Sequence, residues 1–154
     1  MNDLTKGMRI YFAAPLFNDM ERDFNARMTE QLELFATVFL PQRDGLLMRD
    51  LVRDGMPLVS ARRLVYEADV NALRQCDCVV AVLDGRTVDE GVAFEIGFAR
   101  ALGKSCIGLK TDDRALLSSG DNPMVLAGCD IVLGSQLEVI TYLKSGLGRV
   151  ELTA

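Results

Sequence analysis

The feature that most constrains this chain is an alternation. Short runs rich in β-branched, aromatic or small apolar residues recur, each followed by a stretch with helical spacing. The runs are Arg9–Ala14 (RIYFAA), Val38–Leu40, Cys78–Leu83 (CVVAVL), Ser105–Leu109 and Ile131–Leu133. They are continuously apolar rather than alternating, as expected of strands covered on both faces. Between them, Asn18 or Asp19 starts a helix whose apolar stripe runs Met20, Phe24, Met28, Leu32 and Phe35. A second helix, capped by Ser60, runs to about Gln75; a third spans Gly91–Leu102 and ends at Gly103; a fourth runs from about Ser135 to Lys144. Gln42–Pro57 reads as irregular, broken by Gly45, Gly55 and Pro57, and Thr111–Pro123 as a polar loop. The pattern predicts an α/β fold: a three-layer sandwich with a five-stranded parallel, flavodoxin- or Rossmann-like sheet, residues 1–154 forming one domain. Ligands of such sheets sit beyond the carboxyl ends of the strands. That selects Tyr11–Phe17, Pro41–Gly45, Asp84–Glu95 and Lys110–Met124.

Composition removes several chemistries. The sequence has no His, which excludes Ser-His-Asp and Cys-His catalysis and His metal ligands. Cys76, Cys78, Cys106 and Cys129 form no CxxC pair and offer no structural zinc spacing, so they read as buried thiols. Asp44, Asp69, Asp77, Asp84 and Asp89 match no cation-binding loop, and no metal is expected. Neither GxGxxG nor GxxxxGK[ST] is present, so no dinucleotide or P-loop cofactor is expected. The net charge of −5 argues against polymeric nucleic acid as a partner. Met1–Gly7 is short and polar, and no apolar run nears the ~20 residues of a membrane span. A cytoplasmic protein with no membrane partner is therefore expected.

Four side chains stand out. Glu95 has Gly91, Val92, Phe98 and Ala99 as its helical neighbours, so a carboxylate sits on an apolar face near a helix N-terminus. An ionised, poorly hydrated group there suits a nucleophile, and equally a structural hydrogen-bond acceptor. Asp69 repeats the anomaly among Val65, Tyr66, Ala72 and Leu73, unless it lies at an exposed edge. Asp89 reads first as an N-cap, with a second oxygen to spare for a ligand. Tyr11 is a core aromatic in a central strand whose hydroxyl needs a partner, which a carboxylate on a neighbouring helix would supply. Phe17, in the loop after the first strand, either packs or stacks on a planar ligand.

With these residues in view, the chain resembles the nucleoside 2-deoxyribosyltransferases. The likeness runs through Ile10–Phe17 (IYFAAPLF), Asp69, Cys76–Ala81 (CDCVVA), Asp89–Ala99 (DEGVAFEIGFA) and Asn122-Pro123-Met124. The D-x-G-x-x-x-E-x-G-x-A segment after an apolar strand is its most specific part. The resemblance implies Glu95 as nucleophile, Tyr11 as the residue orienting it, Asp69 as a proton donor near the leaving base, and Asp89 as a group holding the sugar. It further implies Phe17, Gln42 and Asp44 at the base and Gly91 against substrate. Asn122 and Met124 would be contributed by a neighbouring subunit, Asn122 near the sugar 5′ end. Pro123 stands where relatives often have Leu. No cofactor is implied. The implied partners are a 2′-deoxynucleoside donor, a free nucleobase acceptor and further copies of the chain, at least a dimer and up to a hexamer.

The chemistry so implied is base exchange with retention. Glu95 attacks C1′, the base leaves with a proton through Asp69, and a second base attacks from the same face. This parallels retaining glycosidases. A 2′-deoxy sugar lacks the electron-withdrawing hydroxyl and reaches an oxocarbenium-like state more readily. One competing reading is a hydrolase of 2′-deoxynucleoside 5′-monophosphates. Asn122, where such enzymes would carry Ser, disfavours it, while Ser118 and Ser119 lie close by. The other is a non-catalytic nucleotide-binding module on the same sheet.

Overall fold

A computed structural model describes residues 7–146. Five parallel strands, β1 (Arg9–Ala13), β2 (Thr37–Phe39), β3 (Cys78–Val82), β4 (Ser105–Leu109) and β5 (Ile131–Leu133), form one sheet in the order β2-β1-β3-β4-β5. The α/β, three-layer expectation holds. The order reverses between β1 and β3, where the connections diverge to opposite faces and leave a crevice. Register pairs Tyr11 with Phe39 on one side and with Val79 on the other.

Period-two alternation sorts the strand residues between two cores. Ile10, Phe12, Cys78, Val80 and Val82 pack with Met28 and Leu32 of α1 (Asp19–Glu33) and Val139 and Leu143 of α7 (Gln136–Lys144). Tyr11, Ala13, Val79, Ala81 and Leu83 face the other way. They pack against Leu73 of α4 (Leu58–Gln75) and Val92, Ile96 and Ala99 of α5 (Glu90–Ala101). Full burial of such side chains is worth roughly 1.5–3 kcal/mol each. The odd parity of position 11 thus sends its ring to the α4/α5 face.

The helices depart from the sequence expectations in four places. Met20 is 80% exposed and does not belong to the stripe of α1; the face turned inward carries Asn25, Met28, Thr29 and Leu32. Gln42–Pro57 is not irregular: it folds as α2 (Pro41–Asp44) and α3 (Met48–Arg53). Pro41 presets φ for the first helical position, and the Leu40 N–H donates to Asp44 Oδ2 at 2.9 Å, closing a single turn. The second long helix begins at Leu58 rather than at Ser60, with the Ala61 N–H bonded to the Pro57 carbonyl at 3.0 Å. A helix α6 (Pro123–Gly128) follows the polar loop, capped by the Asn122 side chain on the Met124 N–H at 2.9 Å. Among the described residues no helix is long and apolar enough to cross a membrane. The four cysteines are buried and unpaired.

Candidate active site

Tyr11 lies fully buried beneath the crevice between β1 and β3. Its hydroxyl donates to Glu95 Oε1 at 2.5 Å, and its ring stacks on Phe39 at 5.4 Å between centroids. Glu95 projects from α5 because its flanking positions Val92, Ile96 and Ala99 bury that side of the helix against the sheet. Asp69, on the facing side of α4, lines the same cavity of about 280 Å³ together with Val65, Asp89, Gly91 and Glu95. Leu16 and Phe17 of the β1–α1 loop and Pro41, Leu46, Leu47 and Met48 of the α2–α3 segment complete its apolar wall. The volume lies near the lower end of ordinary small-ligand sites, about 300–1,000 Å³. A larger cleft of about 740 Å³ adjoins it across Phe17 and Asp89.

Local structure explains how each group is held. Asn18 and Glu21 form a capping box at the start of α1, and Glu21 Oε2 also accepts the Phe17 N–H at 2.7 Å. The backbone at Phe17 is thereby fixed while its ring stays 74% exposed over the cavity. Asp89 caps α5, its Oδ1 accepting the Val92 N–H at 3.1 Å, so the N-cap reading of this residue holds. Gly45 lets α2 close beside Asp69. A Cβ there would meet the Pro41 carbonyl oxygen at 2.6 Å and Asp69 Oδ1 at 3.2 Å.

Electrostatics set this pocket apart. Burial pushes the Glu95 carboxyl up to about 8; the Tyr11 hydroxyl opposes the rise, and the negative charges of Asp69 and Asp89 add to it. Burial likewise raises Asp69 to about 6, and its Oδ1 is buried with no hydrogen-bond partner. The Tyr11 phenol is raised well beyond its ordinary range by burial and by the nearby Glu95 and Asp69, so it stays a donor. Near neutral pH Glu95 therefore holds its proton while Asp69, the weaker base of the two, is largely ionised. This corrects the expectation of a simply ionised carboxylate at 95. Glu95 is the sixth residue of α5, beyond the first turn where a helix N-terminus favours an anion, and desolvation prevails.

Tyr11, Phe17, Asp69, Asp89, Gly91 and Glu95 are thus brought together. Four other residues singled out in the sequence are not. Gln42 lines an adjoining groove with Phe17, and both ends of its carboxamide are engaged: Oε1 accepts from Asn25 Nδ2 at 3.0 Å and Nε2 donates to the Arg22 carbonyl at 2.9 Å. Asp44 is turned away, ion-paired to Arg43 at 2.8 Å, which holds its carboxyl below the usual range. Asn122 caps α6 and Met124 is 83% exposed; neither lines the cavity around Glu95. Sequence reasoning missed Asn25, which is buried and also donates to the Pro15 carbonyl at 2.9 Å, tying the β1–α1 loop to Gln42. Its signal was a carboxamide on the buried face of α1, three residues before Met28. Among the described residues no group of His, Cys, Asp and Glu side chains is arranged to hold a metal ion.

The model of one protein family, nucleoside 2-deoxyribosyltransferase, matches residues 10–142. The chain belongs to the nucleoside 2-deoxyribosyltransferase family. Solved structures share its fold. A conserved protein from Enterococcus faecalis V583 is 25% identical, with 90% of this chain and 98% of that one covered and a TM-score of 0.76. A 2-deoxyribosyltransferase from Bacillus psychrosaccharolyticus is 24% identical, with 87% and 91% covered and a TM-score of 0.72. A CMP N-glycosidase from Clostridium botulinum is 19% identical, with 89% and 98% covered and a TM-score of 0.55. No curated protein sequence matches the chain. The match of the nucleoside 2-deoxyribosyltransferase model spans every element that lines the cavity, from β1 through α5.

Proposed function

We propose that the protein exchanges the base of 2′-deoxyribonucleosides by a double displacement through Glu95. The observation that carries this is the Tyr11–Glu95 hydrogen bond with Asp69 facing the same apolar cavity: one carboxylate has a fixed donor, the other an unpartnered oxygen. A bound base whose ring nitrogen accepts from Asp69 favours the protonated form of Asp69, so that Asp69 takes up a proton as Glu95 gives one up. The negative charge is left on Glu95, where Tyr11 stabilises it. Glu95 Oε attacks C1′ while the C1′–N bond breaks, and the base leaves with the proton from Asp69. The sugar is held as an ester. A second base then attacks C1′ from the vacated face, returns a proton to Asp69 and releases Glu95 with the original configuration. Phe17 stacks on the base, and Asp89 and Gly91 border the sugar.

Asn122 and Met124 lie outside the cavity of their own chain, and we infer that a second copy presents them to it. The exposed Met124 and the aromatic row formed by Tyr66 of α4 with Phe94 and Phe98 of α5 support an oligomer.

The likeness to a CMP N-glycosidase raises a second reading, hydrolysis of a nucleoside monophosphate. Arg114 on the wall of the larger cleft favours it. That guanidinium is already paired with Asp112, and Glu21, Asp84, Asp89 and Glu90 line the same cleft. A phosphate dianion would meet more negative than positive charge there, so the unphosphorylated nucleoside is the better fit.

The test is incubation of deoxyinosine with free adenine, with the products resolved by chromatography, for the unaltered protein and for Glu95→Gln. Deoxyadenosine formed only by the unaltered protein, with a deoxyribosyl mass adduct on Glu95 after acid quench, supports the reading. Equal exchange by the variant would sink it. Base release from the monophosphate without exchange would favour the hydrolase.

A further inference from the structure

Beyond the carboxyl ends of β3 and β4 lies a buried charge cluster outside the cavity. Lys110, whose side chain is 15% exposed, points its ammonium into the protein. Nζ donates to the Leu83 carbonyl at 3.1 Å and to the Gly85 carbonyl at 2.8 Å. It also lies 3.2 Å from Asp112 Oδ1 and 3.3 Å from Asp121 Oδ2, the latter side chain only 6% exposed. The same two loops are joined again by the Gly85 N–H on Asp112 Oδ2 at 3.0 Å, and by the Thr111 N–H and hydroxyl on Asp84. Gly85 has φ +114°, a backbone setting that a side chain would strain, so the turn presenting its carbonyl to Lys110 is built for glycine.

We propose that Lys110 is a positioning residue that sets the sugar-binding end of the site through Asp89. The proposal rests on the deoxyribosyl-transfer reading above. Gly85 lies four residues before Asp89, which caps the helix carrying Glu95; Asp121 immediately precedes Asn122, which caps α6. One ammonium therefore fixes where two loops leave the sheet. A buried ammonium is a poor way to gain stability alone, because desolvation offsets much of its attraction to its partners. Its partners here all belong to the two loops, so what it supplies is their relative placement. Small displacements of substrate-holding groups are costly to rate.

The experiment compares Lys110→Met, Lys110→Arg, Asp89→Asn and the double variant Lys110→Met/Asp89→Asn. Kinetics of deoxyinosine–adenine exchange are combined with amide hydrogen exchange over residues 83–91 and 110–124. Lys110→Met should raise KM for deoxyinosine about tenfold, with a smaller fall in kcat, and Lys110→Arg should recover part of it. In the Asp89→Asn background, Lys110→Met should add little, because both act on one group. Amides of both loops should exchange faster together while β1 and β3 keep their protection. If Lys110→Met does not fold, Lys110→Met/Asp121→Asn removes the uncompensated carboxylate and serves in its place. Fully additive losses, or unchanged exchange in both loops, would overturn the role of Lys110. Absence of turnover by the unaltered protein would instead overturn the transfer reading, and the loop amides would still decide the role of Lys110.

Discussion

Tyr11 and Glu95 are 84 residues apart in the chain and 2.5 Å apart in space, the phenol of a central strand donating to a carboxylate on α5. The phenol is the group that favours the charged form of Glu95 against burial and two neighbouring acids. Removing it in Tyr11→Phe should lower exchange about 10²-fold, comparable with loss of one preorganised donor. The ascending limb of the pH–rate profile should move to higher pH, because Glu95 then loses its proton less readily. A profile measured from pH 5 to 9 checks both.

Glu95→Gln should abolish exchange and stabilise the fold. An unfolded Glu releases its proton near 4.5, whereas the folded group holds it to about 8. Between those values the native state binds the extra proton, so native stability falls as pH rises. The neutral carboxamide removes that loss and can still accept from Tyr11. The gain in Tm should be near zero at pH 4.5 and grow to about 10 °C at pH 8, since holding the proton over roughly three pH units is worth about 4 kcal/mol, at about 2–4 °C per kcal/mol for a chain of this size. Thermal melts at the two pH values test it.

Asp69→Asn should slow exchange from deoxyinosine by about 10²–10⁴, the usual contribution of a positioned acid. An N7-methylated purine deoxynucleoside, whose base departs without being protonated, should lose far less. Sugar-release rates for the two donors, compared in one variant, separate proton donation from simple damage to the cavity.

Phe17→Ala should leave Tm within a degree or so, because the ring is exposed. It should raise KM for the donor by about tenfold or more, since base–aromatic stacking is worth roughly 1–3 kcal/mol. Steady-state kinetics and a melt on the same sample check the pair of outcomes.

Gly45→Ala should be harmful although the φ of −87° at Gly45 suits any residue. The added Cβ would press on the Pro41 carbonyl oxygen and crowd Asp69 Oδ1. A cost of about 1–3 kcal/mol, as for overpacking, and a fall in kcat through displaced Asp69 should appear in denaturant titration and initial rates.

The sheet was legible because its central strands β1, β3 and β4 are buried on both faces and read as unbroken apolar runs, Cys78–Val82 above all. Glu95 and Asp69 were legible for the opposite reason, as acids on apolar helix faces. The short helices α2, α3 and α6 were not, since four to six residues give no periodicity to read. Met20 misled because helical spacing cannot tell a buried stripe from a residue left in solvent beside an open cleft. Lys110 was invisible: a lysine after a strand reads as surface, and only the fold brings Leu83, Gly85, Asp112 and Asp121 around it.

The acids and the apolar wall of the cavity come from different kinds of chain. Asp69 and Glu95 ride on helices of 18 and 12 residues packed into the core, whereas Leu46, Leu47 and Met48 belong to a brief span hung between Leu40 and Pro57. Past Gly45, whose backbone closes beside Asp69, that span should be exchangeable for another of different length with the two acids left in register. Altered base preference should thus be reachable by grafting residues 46–57 alone, without rebuilding the reaction centre.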